Sequence, residues 1–161
     1  MLYPALALSA RAHVMTEARD DGATLADELL TVWRSKVEVY PASSWAADLA
    51  AALVPLGRGD ELIDTARRAP VPSRWLDAVV RFAQRDFDGA AAAFEWIGSR
   101  PDASHARACL AEALIEADRW GEALAALRAA RAFYAEVDAG WSLRRIERMA
   151  EGRVAPEDRR A

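Results

Sequence analysis

This 161-residue chain has very little cysteine and histidine. Its single cysteine, Cys109, excludes an internal disulfide framework and any Cys-x-x-Cys motif for metal or redox chemistry. The two histidines, His13 and His105, lie far apart in sequence and leave little material for a zinc site. We therefore expect no metal and no other cofactor.

The chain also lacks an excess of positive charge and any long apolar run. A net charge of -4 and a pI near 5.3 argue against direct binding to nucleic acid. The longest apolar run after the start, residues 49–56, spans 8 residues and contains Pro55, whereas a membrane-spanning helix needs about 20. The first residues lack the positive segment of a secretory signal peptide. We therefore expect a cytoplasmic protein that does not enter membranes.

Alanine, by contrast, is abundant, with 38 residues, and it favours helices that approach one another closely. Apolar residues recur at helical spacing almost throughout, and the one strand-like stretch, residues 37–40, is too short to build a sheet. The predicted helices lie between clusters of turn-forming residues, at 20–22, 41–44, 57–59, 70–73, 98–102, 121 and 138–140.

Short polar side chains next to these clusters predict where helices begin, because they accept hydrogen bonds from the first free backbone N–H groups. The predicted caps are Ser43 or Ser44 for a helix near Trp45, Asp60 and Asp102. Pro72 and Ser73 are expected to open a further helix. We also expect Gly59 to supply the backbone freedom of its turn.

A helix–turn–helix pattern recurs along the chain. Its best copy, Asp102–Val137, has small residues at Ala111, Ala123 and Ala130 and an aromatic residue, Trp120, at the turn. The next copy upstream has Phe87 in place of Trp120. The turn anchors Asp20, Gly59, Phe87 and Trp120 are 39, 28 and 33 residues apart.

This pattern resembles the tetratricopeptide (TPR) repeat, whose period is about 34 residues. The resemblance covers roughly residues 1–137 and implies an all-α, TPR-like right-handed α-solenoid of about four antiparallel helix pairs. The segment Ala125–Ala150 is similar to the closing TPR region of large actinobacterial transcription regulators and nucleotide cyclases. That likeness implies the C-terminal part of a larger signalling protein.

The last predicted helix, about 141–151, has the pattern of a capping helix. Leu143, Ile146 and Met149 form one apolar face, and the opposite face is charged, with Arg144, Arg145, Glu147 and Arg148. We therefore predict one repeat domain over residues 1–151 and a flexible tail over 152–161.

The TPR resemblance also implies a groove lined by the first helix of each pair, where a peptide or protein segment would bind. Carried onto this sequence, the groove residues are Ser73, Leu76, Val80 and Gln84 from one repeat, and His105, Ala108, Glu112, Ile115 and Glu116 from the next. The partner is a separate protein or another domain of the parent chain.

Other residues admit a second interpretation. We expect Trp75, Trp120 and Trp141 to pack in the core, whereas Trp33, Trp45 and Trp96 are open to a role in a contact surface. Cys109 and His105 lie four residues apart on one helix face, but no third residue that would orient such a pair for catalysis is evident in the sequence. We predict that the protein is not an enzyme.

Two alternatives to a scaffold remain open. Some helical repeats close around an apolar ligand, so the chain could be a small-molecule sensor. Self-association through the N-terminal end, around Leu2, Leu6 and Leu8, is the other.

Overall fold

A computed structural model describes residues 3–35, 45–69 and 72–151. Within these ranges it contains nine α-helices and no strand, which confirms the all-α prediction. None of these helices is long and apolar enough to cross a membrane. The helices are α1 (Tyr3–Met15), α2 (Arg19–Ser35), α3 (Ala46–Leu53), α4 (Gly59–Arg67), α5 (Arg74–Ala83), α6 (Phe87–Ile97), α7 (Arg100–Glu116), α8 (Trp120–Glu136) and α9 (Gly140–Glu151).

The strand-like stretch 37–40, the caps Ser43 and Ser44 and the tail 152–161 lie outside the described residues. The chain divides into two compact units, Met1–Ala93 and Phe94–Ala161. In the N-terminal unit, α1 packs on α2 and α3, α3 packs on α5, and α2 contacts α4. In the C-terminal unit, α7 packs on α8, and α8 packs on α9.

One turn geometry connects most consecutive helices. In this geometry a residue with positive φ follows the helix, and its backbone N–H donates a hydrogen bond to the carbonyl oxygen three residues earlier. The N–H of the next residue donates to the carbonyl oxygen five residues earlier. In the turn before α8 these bonds are 3.0 Å, from Asp118 N to Ile115 O, and 2.8 Å, from Arg119 N to Leu114 O. The positive-φ residues of this geometry are Gly57, Arg85, Gly98, Asp118 and Asp138.

In each of these turns the next helix begins two residues after the positive-φ residue. Phe87 and Trp120 therefore hold equivalent places, each as the first residue of a helix, as the repeat pattern predicts. Connections this short make neighbouring helices antiparallel. The turn predicted at 138–140 is confirmed.

Three predicted boundaries are wrong. The turn expected at 121 lies earlier, around Asp118, and Gly121 is in the first turn of α8. The turn expected at 20–22 lies earlier, around Glu17, whose φ is 71°. Gly22 lies inside α2 and faces α1. An added Cβ there would lie 2.6 Å from Val14 Cγ2, so the glycine allows the two helices to approach closely. Asp102 does not cap α7, because that helix begins at Arg100 and Asp102 sits in its first turn, accepting a 2.6 Å hydrogen bond from the Ser99 hydroxyl.

Gly59 was expected to supply the backbone freedom of its turn, and this explanation is wrong. The positive φ of that turn belongs to Gly57, at 74°. Gly59 begins α4, and an added Cβ there would lie 2.6 Å from the Ala83 carbonyl oxygen, so the glycine permits a close backbone approach. Asp60 lies inside the first turn and is not the cap. The helix start predicted at Pro72 and Ser73 is confirmed, and Ser73 is the cap of α5, since its hydroxyl accepts a 3.1 Å hydrogen bond from the Leu76 N–H.

Two tryptophans are central to the N-terminal unit. Trp33, at the end of α2, and Trp45, just before α3, are 6% and 3% exposed. Their rings meet edge-to-face with centroids 4.8 Å apart. A role for these two in a contact surface is therefore excluded, because both are core residues.

The core of the C-terminal unit is built mainly from alanine. Its buried members are Ala108, Ala111, Ala126, Leu127, Ala130, Tyr134 and Ile146. Leu143 and Met149 pack against this cluster, so the apolar face predicted for the last helix is confirmed.

An arginine joins α2 to α4 in the N-terminal unit. Arg58 Nε lies 2.7 Å from Glu61 Oε1, and the same guanidinium also pairs with Asp27. The hydrogen bond from Arg58 lowers the pKa of Glu61 below its ordinary value, against the opposing effect of burial. Glu61 is 39% exposed, which limits the contribution of this pair.

We expect Gly98→Ala to destabilise the protein and Gly121→Ala to stabilise it. Neither added methyl would have a heavy atom within 4 Å, but Gly98 has a φ of 90° whereas Gly121 lies in the first turn of α8. The first change should cost about 1 kcal/mol of unfolding free energy and the second should gain about 0.5 kcal/mol. Urea denaturation measures both, and equal effects would contradict the assigned turn geometry.

We also expect Glu61→Gln to lower the unfolding free energy by about 0.5 kcal/mol near neutral pH. Because the folded pKa of Glu61 is lowered, its contribution is present above the unfolded value of 4.5 and is lost as the pH falls through the folded pKa. Urea denaturation across this range should show the variant and the native chain converging in acid. Glu28→Gln, which removes a carboxylate on the exposed side of α2, is the control and should change the unfolding free energy by less.

Candidate functional site

An open cleft of about 510 Å³ lies in the C-terminal unit. It is formed by the end of α7, the turn that follows, the start of α8 and the end of α9. Its lining residues are Glu112, Ile115, Glu116, Asp118, Trp120, Arg148 and Met149.

The floor of this cleft is apolar and its rim is charged. Ile115, Trp120 and Met149 are half-buried, whereas Glu116, Asp118 and Arg148 are exposed. The positive φ of Asp118, 57°, reverses the chain so that Trp120 begins α8 beside the end of α7. The cleft is therefore shaped by the same turn that pairs the two helices.

An ion pair holds α9 on α7 at one side of the cleft. Arg145 Nη2 lies 2.6 Å from Glu112 Oε2, and these side chains are 21% and 41% exposed. Burial alone would lower the pKa of Arg145, but its hydrogen bond to Glu112 and the charge of that carboxylate outweigh burial and raise it. The prediction that Arg145 lies on the solvent face of the last helix is wrong, because the guanidinium turns towards α7.

The thiol of Cys109 lies near the same ion pair. Its Sγ is 3.8 Å from Nε2 of His105, whose side chain is buried, and it also hydrogen-bonds to the guanidinium of Arg145. Within the described residues, no group of three or more His, Cys, Asp or Glu side chains is placed to hold a metal ion.

The groove residues predicted in the C-terminal unit fall into two sets. Glu112, Ile115 and Glu116 line the cleft together. His105 and Ala108 are 7% and 1% exposed and lie inside the protein, one turn or more before the cleft on α7.

The groove residues predicted in the N-terminal unit lie along α5 and at its two ends. Ser73 caps the helix, Leu76 is buried, and Val80 is half-buried. Gln84, at the end of α5, lines a second cavity of about 680 Å³ with charged residues of α4 and the following turn. The lining residues of this cavity are Asp60, Ile63, Asp64, Arg67, Ala83, Gln84 and Arg85.

Four residues of the C-terminal cleft were not among those predicted for the groove: Asp118, Trp120, Arg148 and Met149. The resemblance places the groove on first helices only, whereas this cleft also uses a turn, a second helix and the last helix. One available signal was the position of Met149, which continues the apolar face of α9 one turn beyond the buried Ile146.

The remaining tryptophans and the N-terminal leucines differ widely in exposure. Trp141 is 37% exposed, so its predicted core role is wrong, and Trp75 and Trp120 are half-buried. Trp96 is 67% exposed, and its predicted role in a contact surface stays a prediction. At the N-terminal end, Leu8 is 58% exposed and Leu6 is half-buried, while Leu2 is outside the described residues.

No protein-family model, curated protein or solved structure matches this chain. The tetratricopeptide resemblance therefore stays a prediction. We base the function on the geometry of the chain's own residues.

We expect Glu112→Gln to lower the unfolding free energy by about 1 kcal/mol, because it removes a charge-assisted hydrogen bond and leaves the half-buried Arg145 without its carboxylate. Amide hydrogen exchange should show faster opening of α9 than of α8. Glu147→Gln, an equal change at an exposed position of α9, is the control and should stay within about 0.5 kcal/mol. Equal effects of the two variants would show that the ion pair does not hold α9.

Proposed function

We propose that this chain is a helical-repeat interaction module that binds a segment of another protein or of another domain of its parent chain. Its role is regulatory assembly, and the cleft at the end of α7 is the docking site. The observation that carries this proposal is an open cleft with an apolar floor and a charged rim. Protein-binding surfaces commonly combine an apolar centre with a polar rim.

The packing of the N-terminal unit supports a repeat arrangement. Its first helices contact one another in sequence, α1 with α3 and α3 with α5, and the second helices α2 and α4 also touch. Hairpins that stack side by side produce this pattern, because each buries its apolar face on the next. A TPR-like solenoid is the arrangement we propose for these hairpins.

The shape of the cleft favours a protein segment over a small molecule. Small-molecule sites bury most of the ligand surface in a concave pocket. This cleft is open along the ends of three helices, and its rim holds exposed Glu116, Asp118 and Arg148. Such a surface can contact several consecutive side chains of a bound segment.

We expect selection from a library of random peptides displayed on phage to enrich a peptide family that requires the cleft. Ile115→Glu places a carboxylate on the apolar floor and should abolish capture of the enriched peptides. Met149→Glu, on α9, tests the same floor from the other side. Binding of the synthetic peptides is measured by calorimetry.

The matched control for these variants is Ala125→Glu, at an exposed position of α8 that does not line the cleft. It should leave peptide affinity unchanged, and circular dichroism checks that all variants are folded. The proposal fails if no peptide is enriched, or if the enriched peptides bind Ile115→Glu and Met149→Glu as well as the native chain.

A further inference from the structure

The last helix forms one wall of the cleft. Arg148 and Met149 line it from α9, and the other lining residues lie on α7, on the turn that follows α7 or at the start of α8. If α9 left its place, the apolar floor would lose Met149 and would open to solvent along that side. The cleft therefore has its described shape only while α9 is docked.

The apolar contact that holds α9 is small. The one buried residue of this helix is Ile146, whereas α7 and α8 each bury several residues. Leu143 and Met149 pack against the same core cluster and are half-buried. Because apolar stabilisation is roughly proportional to the area removed from water, we expect α9 to be held less strongly than α7 and α8 hold each other.

The polar contact of α9 is a partly exposed ion pair. The helix packs on α8, and Arg145 connects it to Glu112 of α7. These two side chains are 21% and 41% exposed, and water and salt weaken an ion pair at such a position. Segments with few buried apolar contacts open at a lower free energy than the rest of a fold. The contacts of α9 therefore allow it to open while α7 and α8 stay packed together.

Docking of α9 and occupancy of the cleft are linked because they depend on the same residues. A protein segment that contacts Ile115 and Met149 together binds the docked form and not the open form. By mass action such a ligand stabilises the docked form. Because the coupling is reciprocal, docking of α9 raises the affinity for the ligand by the same factor.

We infer that α9 is a movable wall of the docking cleft, so that binding of the protein segment and docking of α9 stabilise each other and a change that releases α9 switches binding off. This inference rests on the proposed function, because it describes how binding at that same site is regulated.

The first test measures amide hydrogen exchange of the full chain with and without the peptides enriched from the phage library, made synthetically. In the free chain, the amides of α9 should exchange faster than those of α8. With peptide at about 100 times its Kd, exchange in α9 should slow about 100-fold, since only the unbound chain opens. Exchange in α1, in the N-terminal unit, should not change. Exchange in α9 that is equally fast with and without bound peptide would overturn the inference.

The single cysteine of the chain gives a second readout. Cys109 is half-buried, and its thiol hydrogen-bonds to the guanidinium of Arg145 on α9. A thiol reagent should therefore react faster when α9 is open, and a bound cysteine-free peptide should slow the reaction. A reaction rate that bound peptide leaves unchanged would contradict the inference.

The variant Ile146→Ala tests the coupling from outside the cleft, because Ile146 is buried and does not line it. It should speed exchange in α9 and weaken peptide affinity, measured by calorimetry, at least about tenfold. The milder Ile146→Val should speed exchange in α9 about fivefold. The control is Val79→Ala, at a fully buried position of the N-terminal unit, which should leave both quantities unchanged.

The ways in which the inference fails differ from failure of the proposed function. If Ile115→Glu abolishes peptide capture but Ile146→Ala binds as tightly as the native chain, the movable wall is wrong and the proposed function stands. Loss of exchange protection in α7 and α8 together with α9 in Ile146→Ala would also overturn the inference, because α9 would then not open separately. If no peptide depends on the cleft, the proposed function fails and the inference fails with it.

Discussion

The close approach of helices through alanine and glycine is the constraint on which the rest of this structure depends. In α1 and α2, Ala7, Ala10 and Ala26 are fully buried, and Gly22 leaves no room for even a methyl group against Val14. Small side chains bring helix backbones together but bury little apolar area each. Each helix therefore needs more than one neighbour, and α1 accordingly packs on both α2 and α3.

The same constraint explains where the cleft forms. α7 packs on α8, and Ala111, Ala123 and Ala130 of these two helices are fully buried. The larger side chains Ile115 and Trp120 lie at the end of this pair, where they line an open surface. Completion of the cleft then depends on α9, which is held by the burial of Ile146 and by the ion pair between Arg145 and Glu112.

Features that depend on local spacing were predictable from the sequence. The helical periodicity, the helix start at Ser73, the turn at 138–140 and the equivalence of Phe87 and Trp120 depend on residues only a few positions apart. Three of the nine cleft or groove residues predicted from the resemblance, Glu112, Ile115 and Glu116, lie together in the cleft. They do so because they follow one another on the same face of α7.

Sequence predictions failed at residue types that can play more than one structural role. Gly22 and Gly59 signal turns in a sequence, yet here they allow close backbone approach. The large apolar side chain of Trp141 predicts a core position, but 37% of its surface is exposed.

The sequence by itself determined that this protein is helical, where most helices begin and end, and that its last helix has one apolar face. These properties follow from hydrogen bonds and side-chain periodicity within a few residues of one another. Only the tertiary structure decided that Arg145 turns inward to Glu112, that Trp33 and Trp45 are buried while Trp96 is exposed, and that a turn and three helices share one cleft. Those outcomes depend on how each helix is rotated about its axis when it packs, which is set by contacts between residues far apart in the chain.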